Sequence, residues 1–175
     1  LAWLLLGPEA GEKSAFIEQL ARTLEKSLGE PPEVHRFYAF DAQMPEVVRC
    51  LQNQSLFARH RLVILAEAER VKRSEEVAAL VAYLKSPAAD ATLVLESAEN
   101  PREMDRRIVA AVPPDSQKVF WELYDNQKQG WVAAFFRQKT IRVDPAAVDY
   151  ILDMVENNTR DMRAECERLA LFFGP

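Results

Sequence analysis

A chain of 175 residues with a net charge of −5 can bury roughly two-thirds of its unfolded surface, so its core needs no metal or disulfide staple. Apolar residues make up 49% and charged residues 28%, the balance of an ordinary globular protein. The acidic excess argues against a surface that clamps nucleic acid throughout, while leaving room for a local basic patch. No apolar run approaches the ~20 residues that span a bilayer, and no signal peptide precedes the first strand pattern, so the sequence reads as cytoplasmic. Cys50 and Cys166 lie far apart without a CxxC or a His at metal spacing, and both read as buried thiols on helices. The chain opens at Leu1 and stops at Gly174-Pro175 just after a helical pattern; both ends look cut, and a fragment of a longer protein is expected.

Apolar runs and helical patterns alternate along the first two-thirds. Trp3-Leu4-Leu5-Leu6 is a short apolar run closed by Gly7, as a buried parallel strand reads. A helix follows from about Lys13, with Phe16, Ile17, Leu20 and Leu24 at helical spacing. Pro31-Pro32 interrupts it, Val34–Phe40 reads as a second strand, and Pro45 suits the first turn of a helix with Val47, Val48 and Leu51 inward. Leu62-Val63-Ile64-Leu65 is the third strand. Ser74 is placed to cap the next helix, which turns Val77, Leu80, Val81 and Leu84 inward until Pro87. Thr92-Leu93-Val94-Leu95 is the fourth strand, and Asn100-Pro101-Arg102-Glu103 has the composition of a capped helix start. Lys118-Val119-Phe120-Trp121 reads as a fifth strand.

Beyond it the strands stop. Trp131–Gln138 reads as a helix with Trp131, Ala134 and Phe135 on one side. Asp144-Pro145 opens another, inward at Val148, Ile151, Leu152 and Val155. Asn158 or Thr159 caps a last helix carrying Met162, Leu169 and Phe172, which Gly174 ends. The expectation is an α/β domain over residues 1–122, with a five-stranded, mostly parallel sheet and helices on both faces. A small all-helical domain over 123–175 follows.

The turn after the first strand is the most informative local feature. Gly7-Pro8-Glu9-Ala10-Gly11-Glu12-Lys13-Ser14 has the place and the ending of a phosphate-binding loop, GxxxxGK followed by Ser or Thr, between strand and helix. Gly7, Gly11, Lys13 and Ser14 are its recognisable parts. The second glycine stands one place early, and Glu12 occupies the position before the lysine. A side chain there obstructs the nest of backbone N–H groups, and a carboxylate repels a nucleotide's charge. At the end of the third strand, Val63-Ile64-Leu65-Ala66-Glu67-Ala68-Glu69 has the outline of the acidic pair that holds Mg²⁺. Ala66, however, stands where the metal-bound aspartate belongs, and alanine has no oxygen to offer a hard cation. Two departures from one machine predict no ATP hydrolysis, no cofactor, no metal site and no catalytic residue. The loop then reads as a tight turn with Lys13 a solvated residue at the helix start.

A second segment draws attention. In Gln52-Asn53-Gln54-Ser55-Leu56-Phe57-Ala58-Arg59 the helical pattern breaks after Leu51, and Ser55 competes for helical hydrogen bonds. Leu56 and Phe57 are adjacent, so both cannot follow one inward stripe. From the residues alone two readings stay open: a projecting wedge for a partner's apolar pocket, or ordinary core folded back under the sheet.

With these residues in place the sequence resembles a family, the delta subunit of bacterial DNA polymerase III. Gln52, then Ser55-Leu56-Phe57, then Arg59 and Arg61 leading into Leu62-Val63-Ile64-Leu65, is similar to that family's clamp-binding segment. Leu80–Leu84, Pro87 and Thr92–Leu95 are similar to its helix and fourth strand. Asp161–Leu169 resembles its second-domain helix of the form DLxxLxxELEKL. Gln54 stands where an apolar residue often occurs, Arg163 replaces an apolar position and Arg168 a lysine. The family's third domain, an oligomerisation collar, has no counterpart in this chain.

The resemblance implies an AAA+-like α/β domain and a lid-type helical domain without ATPase activity. It also implies a clamp-binding element made of Gln52, Gln54, Ser55, Leu56 and Phe57. The implied partners are the sliding clamp beta, the ATPase motor subunits and delta-prime, with primed DNA met only in the assembled complex of the polymerase holoenzyme. The wedge would enter a clamp pocket beside the subunit interface and favour the sprung form of the ring. The alternative is an active P-loop ATPase of the same fold with an unorthodox loop. A DNA-binding module using Arg59, Arg61, Arg70, Lys72 and Arg73 is the third reading. Glu67 and Glu69 interrupt that cluster, so it reads as a solvated charged face. Trp131 and Phe135 read as core between the two domains rather than as base-stacking residues.

Overall fold

The structure, a computed structural model, describes residues 1–53, 58–155 and 158–173. Five parallel strands form one sheet in the order β2-β3-β4-β1-β5. They are β1 (Ala2–Leu6), β2 (Glu33–Tyr38), β3 (Arg61–Ala66), β4 (Ala91–Glu96) and β5 (Gln117–Val119). The expected strand set is present, and all of its pairings are parallel. Every residue of β3 and β4 is buried, which is why both read as unbroken apolar runs rather than as alternating ones. Val63 pairs with Leu93 and Leu65 with Leu95, and Leu4 also pairs with Leu95 on the other side of β4.

Side chains alternate across the sheet and divide the core in two. On one face Leu4, Leu6, Val63, Leu65, Leu93 and Leu95 meet Val47 and Leu51 of α2 (Met44–Gln52), Val77, Leu80 and Leu84 of α3 (Ser74–Lys85), and Ile108 of α4 (Arg106–Ala111). On the other face Leu5, Leu62, Ile64 and Val94 meet Ile17, with Phe16, Leu20 and Leu24, along α1 (Ala10–Leu28).

Several boundaries differ from the sequence reading, each for a local reason. The Asn100–Glu103 stretch forms a turn, in which Asn100 Oδ1 accepts from Arg102 N at 2.9 Å and Asn100 O from Glu103 N at 3.1 Å. Helix α4 starts later, where Asp105 Oδ1 accepts from Arg107 N at 2.9 Å. Ser74 lies inside α3, and the position before it, Arg73, makes no side-chain cap. β5 ends at Val119, and Trp121 is exposed. β2 stops at Tyr38 rather than Phe40.

The charge pattern assigns Arg61 to a solvated face, but its side chain is only 3% exposed. It donates to Asp90 Oδ2 at 2.7 Å and to the Cys50 carbonyl at 2.8 Å, the partners that make burial of a guanidinium tolerable.

By its contacts the chain divides into two units, residues 1–8 with 13–120, and residues 9–12 with 121–175. The second unit contains α5 (Asp125–Gln138), α6 (Pro145–Met154) and α7 (Thr159–Phe173). Val132, Phe135, Phe136, Val148, Ile151, Met162 and Cys166 form its core, with Leu152 and Leu169 packed against it. Asp144 caps α6 by accepting from Ala146 N at 2.9 Å, and Asn158 caps α7 by accepting from Asp161 N at 2.9 Å. Trp131 stacks on Phe135 with ring centroids 5.9 Å apart. Phe172, expected inward, is 74% exposed and shares the end of α7 with exposed Leu171 and Phe173. Cys166 is buried as expected, and burial, with Glu165 nearby, pushes its thiol up to about 11. Cys50 is only half-buried.

Two outcomes follow from this core. Leu95→Ala is expected to lower unfolding free energy by about 2–5 kcal/mol in urea titration, because Leu95 is fully buried between strands and helices. His60, just before β3, pairs through Nε2 with Thr92 Oγ1 at 2.9 Å. Burial lowers its pKa below the ordinary value. Its neutral form is therefore favoured by folding, while the unfolded chain takes up the proton near pH ~6.5. The expected result is stability that falls as pH drops below that value, with a smaller fall in His60→Gln.

Candidate functional site

The candidate site is built where β1 hands over to α1. Gly7 follows the last residue of β1 with φ +96, and a Cβ on it would lie 2.2 Å from the Phe120 carbonyl oxygen. Its amide donates to the Glu99 carbonyl at 2.9 Å, and Phe120 N donates to Leu6 O at 2.8 Å. Glycine is needed here on both counts, for the left-handed backbone and for the close approach.

Lys13, which the sequence places in solvent, lies in the first turn of α1. It is instead 2% exposed. Its Nζ donates to the Gly7 carbonyl and to the Ser97 carbonyl, each at 2.7 Å. Ser97 N in turn donates to Leu5 O at 2.9 Å. The ammonium thus ties the end of β1 to the residue after β4, two strands that pair in the sheet. A charge withdrawn from water requires acceptors this close, and the two carbonyls supply them.

The middle of the loop is engaged as well. Glu9 stands immediately before α1 and is 1% exposed. Its Oε1 accepts from Gly11 N at 2.9 Å, in the manner of an N-cap residue. The same carboxylate accepts from Thr159 Oγ1 at 2.7 Å and from Thr159 N at 3.2 Å. Thr159 opens α7, so one carboxylate sits at the positive ends of two helices. Gly11 permits the arrangement: a Cβ on it would lie 2.2 Å from Thr159 Oγ1 and 2.4 Å from Arg160 N. Glu12, expected to be the obstructing carboxylate, is half-buried on α1 and accepts from Trp131 Nε1 at 3.4 Å. The carboxylate lodged in the loop belongs to Glu9. Ser14 is half-buried in α1.

At the end of β3, Ala66 is buried and offers no metal ligand. Glu67 follows in the left-handed region at φ 55, and its carboxylate pairs with Arg70 at 2.5 Å. Among the described residues no group of three or more His, Cys, Asp or Glu is arranged to hold a metal ion. The described helices include none long and apolar enough to cross a membrane.

The second candidate segment is described only at its edges. α2 ends at Gln52, which is exposed after fully buried Leu51. Asn53 N donates back to Arg49 O at 2.9 Å, and Arg59 N donates to Glu30 Oε1 at 2.8 Å where the chain returns toward β3. Gln54, Ser55, Leu56 and Phe57 lie outside the described residues.

Sequence reasoning named Gly7, Gly11, Lys13 and Ser14 but missed Glu9, Thr159 and Ser97. An acid just before a helix is a visible cap signal, and Glu9 carried it. Its partner lies 150 positions away, where no local pattern reaches.

The five-stranded parallel sheet with a loop of this kind after its first strand is the AAA+ type of P-loop α/β fold. Within that type the chain is similar to the Bacillus subtilis DNA clamp loader delta protein (YqeN), with a TM-score of 0.69 and 17% identity over 99% of this chain and 53% of that one. It is also similar to a DNA polymerase III gamma subunit-related protein of Thermotoga maritima, with a TM-score of 0.60, 14% identity, and coverage of 95% and 53%. The RuvB Holliday junction branch migration motor of the same organism matches with a TM-score of 0.61 and 14% identity over 96% and 54%. The chain spans about half the length of each, and at these identities the likeness is one of fold. No protein-family model matches the sequence, and no match was found among curated proteins.

The buried ammonium gives the site its own test. Lys13→Met is expected to lower unfolding free energy by about 1–3 kcal/mol, the cost of leaving buried acceptors unmatched. A solvated lysine would change it by less than ~0.5 kcal/mol. Gly11→Ala, which forces a Cβ onto the α7 backbone, is expected to lower the melting temperature as well.

Proposed function

We propose that this chain is the clamp-engaging part of a bacterial, cytoplasmic clamp-loader subunit that contributes binding energy and performs no ATP hydrolysis. The observation that carries the reading is the phosphate loop of an AAA+-type fold whose lysine, second glycine and central acid are all engaged by the chain itself. Lys13 holds two carbonyls, Gly11 admits Thr159, and Glu9 supplies the carboxylate those donors require. Ala66 at the end of β3 removes the oxygen a catalytic Mg²⁺ needs. The fold likeness to the clamp loader delta protein supports the same reading.

In this proposal residues 1–122 form the AAA+-like domain and 123–175 the lid-type domain. Gln52, Gln54, Ser55, Leu56 and Phe57 meet the sliding clamp. Gln52 supports this placement, because it leaves α2 exposed directly after a fully buried position. An adjacent leucine and phenylalanine entering an apolar pocket would contribute on the order of 3–6 kcal/mol before binding costs. Such a wedge opens a ring only through tighter binding to the sprung interface than to the closed one. Motor subunits and delta-prime complete the assembly, and primed DNA is met there.

The decisive measurement is clamp binding by the double variant Leu56→Ala, Phe57→Ala. Affinity is expected to fall by roughly 100-fold or more, since two hot-spot truncations cost at least ~2 kcal/mol each, while the melting temperature stays near that of the parent. A large loss of stability would instead make the pair core, and unchanged binding would remove the segment from the mechanism. Calorimetry with ATP and Mg²⁺ is expected to show no site tighter than millimolar, and a micromolar site with turnover would favour the ATPase reading.

A further inference from the structure

The Glu9 carboxylate is a buried charge with three neutral donors: Gly11 N at 2.9 Å, Thr159 Oγ1 at 2.7 Å, and Thr159 N at 3.2 Å to one oxygen and 3.3 Å to the other. Two of these are backbone amides in the first turns of α1 and α7. Amides of that kind, at the positive ends of helices, bind free oxyanions in other settings. Thr159 is itself 1% exposed, and its contact with Gly11 is closer than any side chain at position 11 would allow. The donors are thus held in place by packing, and the anion they face is part of the chain. A glutamine, alanine or serine would satisfy the backbone geometry before α1 without placing a charge there. The charge is the feature that needs an account, because burying it is unfavourable unless donors compensate it.

We propose that Glu9 is a tethered anion that closes this turn from within. Its carboxylate permanently occupies the donor set formed by Gly11 and Thr159, so that the set is satisfied without an external anion and external anions are kept out. The contact is autoinhibitory toward anion binding, and it fixes residues 9–12 against the start of α7 whether or not a ligand is present. The inference is independent of clamp binding and stands or falls without it.

Replacement by a small carboxylate in solution tests the idea on the full 175-residue chain. Glu9→Ala is expected to melt below the parent, and sodium formate should raise its melting temperature saturably. Sodium chloride at equal ionic strength should not, and the parent should respond to both salts alike. Formate should bind Glu9→Ala at least about tenfold more tightly than it binds the parent. Glu9→Gln keeps the shape and one acceptor oxygen while losing the charge. It is expected to melt below the parent and to gain nothing from formate, because its amide fills the space. An unchanged melting temperature in Glu9→Gln would overturn the proposal, since the charge would then be idle. So would a formate response equal in parent and Glu9→Ala. If Glu9→Ala does not fold in chloride, folding restored by formate supports the proposal, and failure of formate to restore it counts against it.

Discussion

Three neighbouring strands buried on both faces, β3, β4 and β1, are the constraint from which the rest of the first unit follows. A strand in that position is largely apolar, a buried polar group such as Thr92 being taken up by a partner, and its ends must turn back into water or satisfy their polar groups within the protein. The polar groups at the two ends of these strands are arranged accordingly. At one end Arg61 is taken up by Asp90 and the Cys50 carbonyl. At the other, Glu96 pairs with Arg36 at 3.0 Å, and Lys13 binds the carbonyls of Gly7 and Ser97. Apart from Arg36, which reaches from within β2, each charge sits where strands that cannot accept water run out.

The turn after β1 applies the same rule to a loop whose composition suggests nucleotide chemistry. Gly7, Gly11 and Lys13 each have an internal task, and so does Glu9. Glycine at position 7 makes room for Phe120 O, and glycine at position 11 makes room for Thr159 and Arg160. The lysine answers two carbonyls, and an acid fills the place of an anion. Releasing any one partner would leave a buried donor or acceptor unmatched, which costs about 1–3 kcal/mol.

The proposed function calls for a subunit that binds rather than reacts. AAA+-type architecture supplies a stable platform, and function lives in what is grafted on it. In the proposed function the graft is the connection between α2 and β3. It departs from exposed Gln52 and returns near Arg59, whose backbone is held by Glu30.

Much of the architecture was legible in the sequence because local patterning reports burial directly. Leu62–Leu65 and Thr92–Leu95 announce strands covered on both faces, Val77, Leu80 and Leu84 announce a helix facing them, and Asp144-Pro145 announces its own cap. The missing aspartate at Ala66 and the displaced glycine at position 11 were legible too, since each is an identity at a position rather than a contact. What failed locally failed by competition. Asn100 satisfied a turn instead of a helix, because Asp105 offered the better cap to the segment that packs Ile108. Phe172 kept its helical spacing but found nothing to pack against among the described residues of its own core. The fates of Lys13, Arg61 and Glu9 were beyond any local reading. A lysine, an arginine and a glutamate are solvated by default, and only the arrival of Ser97, Asp90 and Thr159 from 84, 29 and 150 residues away turns each into an internal group. The sequence determined the strands, most of the helices and the loss of the metal ligand, because those depend on neighbours along the chain. Tertiary structure alone decided which charges are buried, because burial of a charge depends on partners that only folding brings within hydrogen-bonding distance.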